Sequence, residues 1–294
     1  MGLIVKEASI KRNENVEEYV GIGSTVHTKK FFRRRRDLEV TVTGILKQTY
    51  DGTNLDSAFL SLWLGDAPVA AGTIALRPNT TNNNLRSATI EIGYISPAGN
   101  RFYRIRGCMG KNLTLRTVND YIEFAGTLVA QDTTIGTAAA AALPAEPTVK
   151  PFNPNQDSTW SFTTPTVTGL DLVEWAWKVE NVLLVKGTQI QAAGRTIGEP
   201  QIAGRKTMLD LTLWRSGHNF EDQLANNDPA ADVGAQQDVS WTLSKNSGAQ
   251  FLHLTWTKAR VVNAFQLELS DDDATIIDKW SLAPETYAVD VVTP

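Results

Sequence analysis

Apolar residues in this chain recur mostly at every second position, the spacing of a strand with one face on a core and the other in water. Leu38-Glu39-Val40-Thr41-Val42 and Leu209-Asp210-Leu211-Thr212-Leu213 show it most clearly, and residues 89–95, 102–105, 239–243 and 251–254 repeat it. The period changes after Gly52-Thr53-Asn54-Leu55-Asp56, a turn with Asn54 placed to cap a helix. Leu55, Phe59, Leu62 and Trp63 then fall at helical spacing. The pattern predicts a mainly β protein with short helices.

The same local patterns return in the same order in the second half, the mark of an internal repeat. Glu14-Asn15-Val16 is matched by Glu180-Asn181-Val182, Leu38 to Val42 by Leu209 to Leu213, and Gly52 to Asp56 by Gly217-His218-Asn219-Phe220-Glu221. Phe102-Tyr103-Arg104-Ile105 is matched by Phe251-Leu252-His253-Leu254, and Leu113-Thr114-Leu115 by Phe265-Gln266-Leu267. The spacing between matched segments varies, so insertions must separate them, and insertions belong in loops. Between the copies lie Ala138 to Ala142 and the prolines Pro144, Pro147, Pro151 and Pro154, which cannot donate ladder hydrogen bonds and favour an extended linker. The expected organisation is a first β domain over 1–137, a linker over 138–157 and a second β domain over 158–294.

Charge and rare residues narrow the function. The formal net charge is −4, from 28 Lys and Arg against 32 Asp and Glu, which argues against a conventional nucleic-acid binder. A single cysteine, Cys108, excludes an intrachain disulfide and a multi-cysteine zinc site and fits folding in a reducing cytoplasm. Neither a leader pattern nor an apolar run of spanning length is present, so secretion and membrane insertion are not expected. His27, His218 and His253 are scattered without metal-ligand spacing. There is no nucleophile elbow or P-loop, and Gly21-Ile22-Gly23 lacks a third glycine. Asp271-Asp272-Asp273 reads as a solvated turn rather than a cation site. No cofactor, metal or catalytic residue is expected, and the chain is not read as an enzyme.

Two long segments stand out. Residues 17–36 end in Lys29, Lys30, Phe31, Phe32, Arg33, Arg34, Arg35 and Arg36, and their counterpart 183–206 carries Arg195, Arg205 and Lys206. Both are expected to be long loops, and loops of that length usually act. Aromatic residues beside arginines in an acidic protein point to a protein interface more than to nucleic acid. Eight tryptophans, crowded in the second half, also allow a different reading: a carbohydrate-binding or adhesin module with an exposed aromatic platform.

The strand-loop-strand units over 8–44 and 176–214, with Pro147-Thr-Val-Lys-Pro-Phe152, Trp160-Ser-Phe162 and Leu170-Asp-Leu-Val-Glu-Trp-Ala-Trp-Lys-Val-Glu-Asn181, resemble the tail tube proteins of long-tailed bacteriophages, in the branch with the tube domain duplicated in one polypeptide. The resemblance covers nearly the whole chain, though the Arg33 to Arg36 run has no full match in the second copy. It implies two tandem β-sandwich or barrel domains, each with a flanking helix, and three chains making a pseudo-six-fold ring. Rings would stack through the two basic segments into a tube in the virion tail, assembled in the host cytoplasm and meeting tape-measure, terminator and baseplate proteins. Double-stranded DNA would pass through a neutral or acidic lumen without specific binding. The same fold serves sheath-enclosed tubes, baseplate hubs and secretion-system tubes, and among these the resemblance to the duplicated branch implies a long non-contractile tail.

Overall fold

The computed structural model describes residues 4–20, 29–46, 55–65, 73–76, 85, 87–140, 158–164, 170–184, 201–215, 237–244, 250–262, 266–269 and 276–292. The fold is mainly β, as the alternation predicts. The first half contributes β1 (Ile4–Val20), β2 (Lys29–Ile45), α1 (Leu55–Leu64), β3 (Thr73–Leu76), β4 (Ala88–Tyr94), β5 (Arg101–Val118), β6 (Tyr121–Ala130) and β7 (Asp132–Gly136). The second contributes β8 (Ser158–Thr164), β9 (Leu170–Leu184), β10 (Gln201–Arg215), β11 (Gln237–Ser244), β12 (Gln250–Val261), β13 (Gln266–Leu269), β14 (Ile276–Ala283) and β15 (Thr286–Val292).

Eight strands form one antiparallel layer in the order β1-β2-β6-β5-β9-β10-β14-β13. The remaining pairings are β8-β11-β12-β15-β3, β4-β5-β7 and the end of β12 with β14, where Arg260 and Val261 face Ala283 and Leu282. Two strands turn from one group to the other. β5 pairs with β4 and β7 up to Cys108 and with β6 from Met109, and Gly107 at the corner has φ 62°. In β12 the corner residue is Lys258, at φ 52°. Gly107 takes that conformation without strain, whereas a lysine there is uncommon. Its amide is held by the Asp238 carboxylate at 2.8 Å.

The core is one cluster running through both halves, from Val40, Phe124 and Leu128 to Trp177, Leu211 and Leu254. Trp256 meets Trp175, Trp177 and Trp160 at ring-centroid distances of 6.2, 5.6 and 6.4 Å. Trp175, Trp177, Trp256 and Trp280 are buried, so these four are core residues and offer no exposed platform in the single chain. Cys108 is buried too, and burial pushes its thiol up to about 12, which keeps it protonated and unreactive.

The strand pairing repeats between halves, and its irregularities fix the alignment. In β1 the bulge leaves Lys6 between Val5 and Glu7, and in β9 it leaves Val173 between Leu172 and Glu174. Just past the two corners, Gln131 donates its amide to Arg106 and Glu285 donates to Thr257. These markers agree on one superposition, which sets Val40 against Leu209 and Ile105 against Trp256. The sequence matches put Leu38 and Leu254 there, two residues out. A slip of two keeps every side chain on its face, so alternation alone cannot detect it. Thr114 and Leu115 do align with Gln266 and Leu267, as the sequence match has them, judged by their partners on β6 and β14, while Phe265 lies outside the described residues.

Two expectations change. Segments 17–36 and 183–206 are not loops throughout: Glu17 to Val20 pair with Phe32 to Lys29, and Leu183 and Leu184 pair with Ile202 and Gln201. Each is a long hairpin whose strands extend into the basic stretch, with residues 21–28 and 185–200 outside the described part. The β propensity of Val16, Tyr19, Val20, Phe31 and Phe32 favours pairing over loop here. Of the expected linker, Ala138 and Ala140 are tied to the first half. Arg104 donates to the Ala138 carbonyl at 2.8 Å, and the Ala140 amide donates to Glu91 at 3.0 Å. Residues 141–157 lie outside the described part, as does the second predicted helix at 217–221.

Candidate assembly edges

The two halves meet by strand pairing. In the junction of β5 with β9, Asn112, Leu113, Thr114, Leu115 and Arg116 face Glu180, Val179, Lys178, Trp177 and Ala176. One residue further, the Trp175 amide donates to Thr117 Oγ1 at 3.1 Å.

Helix α1 fastens the same junction. Its apolar residues at helical spacing place Phe59 and Trp63 on the sheet, with Phe59 edge-on to Trp63 at 4.9 Å and to Phe124 at 5.5 Å. Trp63 lies over Gly110 and Gly126, where an added Cβ would come within 2.4 Å of the indole in each case. The missing side chains are what let a tryptophan approach the backbone so closely. Its indole N–H donates to the Thr127 carbonyl at 3.0 Å.

The helix stops at Gly65, whose φ of 79° lets its amide donate back to Ser61 at 3.0 Å. That leaves the carbonyls of Trp63 and Leu64 without helical partners. Residues of the second half supply them. Asn181 Nδ2 donates to Trp63 and Gly110 carbonyls, at 2.9 Å each. The Arg205 guanidinium donates to Trp63 and Leu64 carbonyls at 3.2 and 3.3 Å and to Asn181 Oδ1 at 2.7 Å. Tyr287 donates to the Leu64 carbonyl at 3.1 Å. A cation also suits the negative end of a helix dipole. Burial raises the Tyr287 phenol well above its usual value, so it stays a donor at every physiological pH.

The ends of the eight-stranded layer are open among the described residues: β1 pairs only with β2, and β13 only with β14. Lys6 on β1 reaches across β2 to Glu123 on β6 at 3.0 Å, and Arg116 reaches the same carboxylate at 2.9 Å. Burial pushes the Glu123 carboxyl up, but the hydrogen bonds from Arg116 and Lys6 outweigh it and hold the group below its usual range. A depressed folded-state value stabilises above the unfolded value and is lost as pH falls through the folded one. Urea midpoints of wild type and Glu123→Gln are therefore expected to differ at neutral pH and to converge on acidification. A gap that persists once Glu123 is protonated would contradict the assignment.

The sequence-predicted residues divide. Lys29, Lys30, Phe31, Phe32, Arg33 and Arg36 sit on β2 at positions paired with Val20, Tyr19, Glu18, Glu17, Val16 and Glu14, with Arg34 and Arg35 at a bulge. Their side chains, and Arg195, lie outside the described part. Arg205 is engaged inside the chain, and Lys206, on the opposite face of the strand, is exposed and paired in register with Glu180. By the repeat alignment Arg36 occupies in β2 the place of Arg205 in β10. Asn181 and Tyr287 were not singled out from sequence as site residues. A buried amide needs partners, but those partners are backbone carbonyls that no composition reveals. Among the described residues no cluster of His, Cys, Asp or Glu has a metal-binding arrangement, and no helix is long and apolar enough to cross a membrane. No protein-family model matches the chain, and a search of curated proteins finds no match.

Proposed function

We propose that the chain is a non-enzymatic structural protein that polymerises into stacked rings, as the tail tube of a long-tailed bacteriophage through which double-stranded DNA passes. The observation that carries this reading is the junction of β5 with β9: two four-strand repeats joined edge to edge, with the corresponding end strands β1 and β13 left open. A protein that already uses a strand edge to join one repeat to the next has the means to join further repeats, and closing a ring removes the open edges. The tail-tube resemblance supplies the ring of three chains, the virion location and the tape-measure, terminator and baseplate partners. The net charge of −4 suits passage of DNA without adhesion. Negative-stain electron microscopy of the purified, concentrated protein tests the reading. Hollow tubes or rings are expected, and a persistently monodisperse monomer would overturn it.

A further inference from the structure

The internal repeat makes a specific statement about the open edges. β13 occupies in the second repeat the place of the β5 segment that pairs with β9, because Gln266 and Leu267 face Lys279 and Asp278 as Thr114 and Leu115 face Ala125 and Phe124. β1 likewise occupies the place of β9, by the bulges at Lys6 and Val173. The exposed β1 edge is therefore the counterpart of a strand that β5 covers. The difference shows in burial: Trp175 and Trp177 are 2% and 0% exposed on β9, whereas Ala8 is exposed and Ile10 half-buried at the matching places on β1.

We propose that β13 of one chain pairs antiparallel with β1 of a second copy of this chain, in the register of the internal junction, so that Gln266 faces Lys11, Leu267 faces Ile10 and Glu268 faces Ser9. The template pairs are Thr114 with Lys178, Leu115 with Trp177 and Arg116 with Ala176. The contact is head to tail, using different edges of each copy, so it closes into a ring or runs on as a chain. Two features keep the edges from indiscriminate pairing: β13 is only four residues long, and Arg12 stands on β1 where β9 has Val179. Nothing of that kind is needed on β9, which is never free.

The proposal rests on the self-assembly reading and is tested separately from it. Lys11→Cys/Gln266→Cys is oxidised with copper phenanthroline after assembly and run on a non-reducing gel. Cys108, buried and protonated, stays in place as a silent background. A ladder of covalent oligomers is expected, ending at the number of chains in the ring and absent from either single variant. The slipped pair Lys11→Cys/Glu268→Cys is expected to cross-link at least ten-fold less. Rings or tubes by microscopy with no ladder, or with a stronger ladder from the slipped pair, would overturn the register and leave the assembly reading standing. Absence of any assembly in the wild-type protein would overturn both.

Discussion

Trp63→Ala is expected to cost about 3–5 kcal/mol of stability, the range for removing a large buried aromatic side chain. The indole is fully buried, and its neighbours are poorly able to collapse into the space. Gly110 and Gly126 have no side chains to move, and the strand backbones beneath are fixed by pairing on both sides. The Thr127 carbonyl keeps its strand pairing but loses the indole N–H. Against a total of about 5–15 kcal/mol for a domain, that is at least about a fifth of the whole. Urea denaturation followed by far-UV circular dichroism should show the midpoint of the whole chain fall, because α1 packs on β5 and β9 and, through Phe124 and the Thr127 carbonyl, on β6. A shift under about 1 kcal/mol would mean that the helix is not part of the folded core, since surface substitutions stay within that range.

The same tryptophan shows how far the sequence could be followed. Spacing alone placed Leu55, Phe59, Leu62 and Trp63 on one helical face, and the helix is there. The strands were equally legible, because alternation is a direct consequence of one buried face. The register between repeats was less so. Glu14-Asn15-Val16 and Glu180-Asn181-Val182 are nearly the same in sequence, yet the bulges set Glu14, not Asn15, against Asn181. A slip of one reverses the face of every residue, and only the bulge position, which local composition does not announce, settles it. The hairpins of the basic stretches were hidden for a related reason. A run such as Arg33 to Arg36 has no apolar alternation to reveal the strand, although its partner β1 is an ordinary one. Arg205 beside Lys206 looked like part of an exposed basic patch, and two of its three acceptors lie on a helix some 140 residues earlier, beyond any local pattern.

That arginine carries the second large effect. Arg205→Ala is expected to destabilise the chain by about 2–4 kcal/mol, because it leaves buried oxygen acceptors with fewer donors or none. Asn181 Oδ1 loses its 2.7 Å donor, while the Trp63 and Leu64 carbonyls keep only Asn181 and Tyr287. Burial lowers the Arg205 pKa, but a guanidinium starts so high that it stays charged in the folded protein. The loss should therefore be independent of pH between about 5 and 9, unlike that of Glu123→Gln. Arg205→Lys keeps the charge but cannot span three acceptors, so it should recover less than half of the loss. Arg205→Met fills the space without a donor and should resemble the alanine variant. Asn181→Ala combined with Arg205→Ala should cost clearly less than the two alone, since both serve the Trp63 carbonyl and bond to one another. Full additivity, or full rescue by methionine, would show that Arg205 acts by filling volume and not by satisfying the end of α1. The carbonyls belong to the first repeat and the donors to the second, so this is also where loss of a few hydrogen bonds should loosen one repeat from the other before either unfolds. Amide exchange resolves that order: protection at Leu113 to Arg116 should fall in Arg205→Ala, while protection in β11 and β12 stays near wild type.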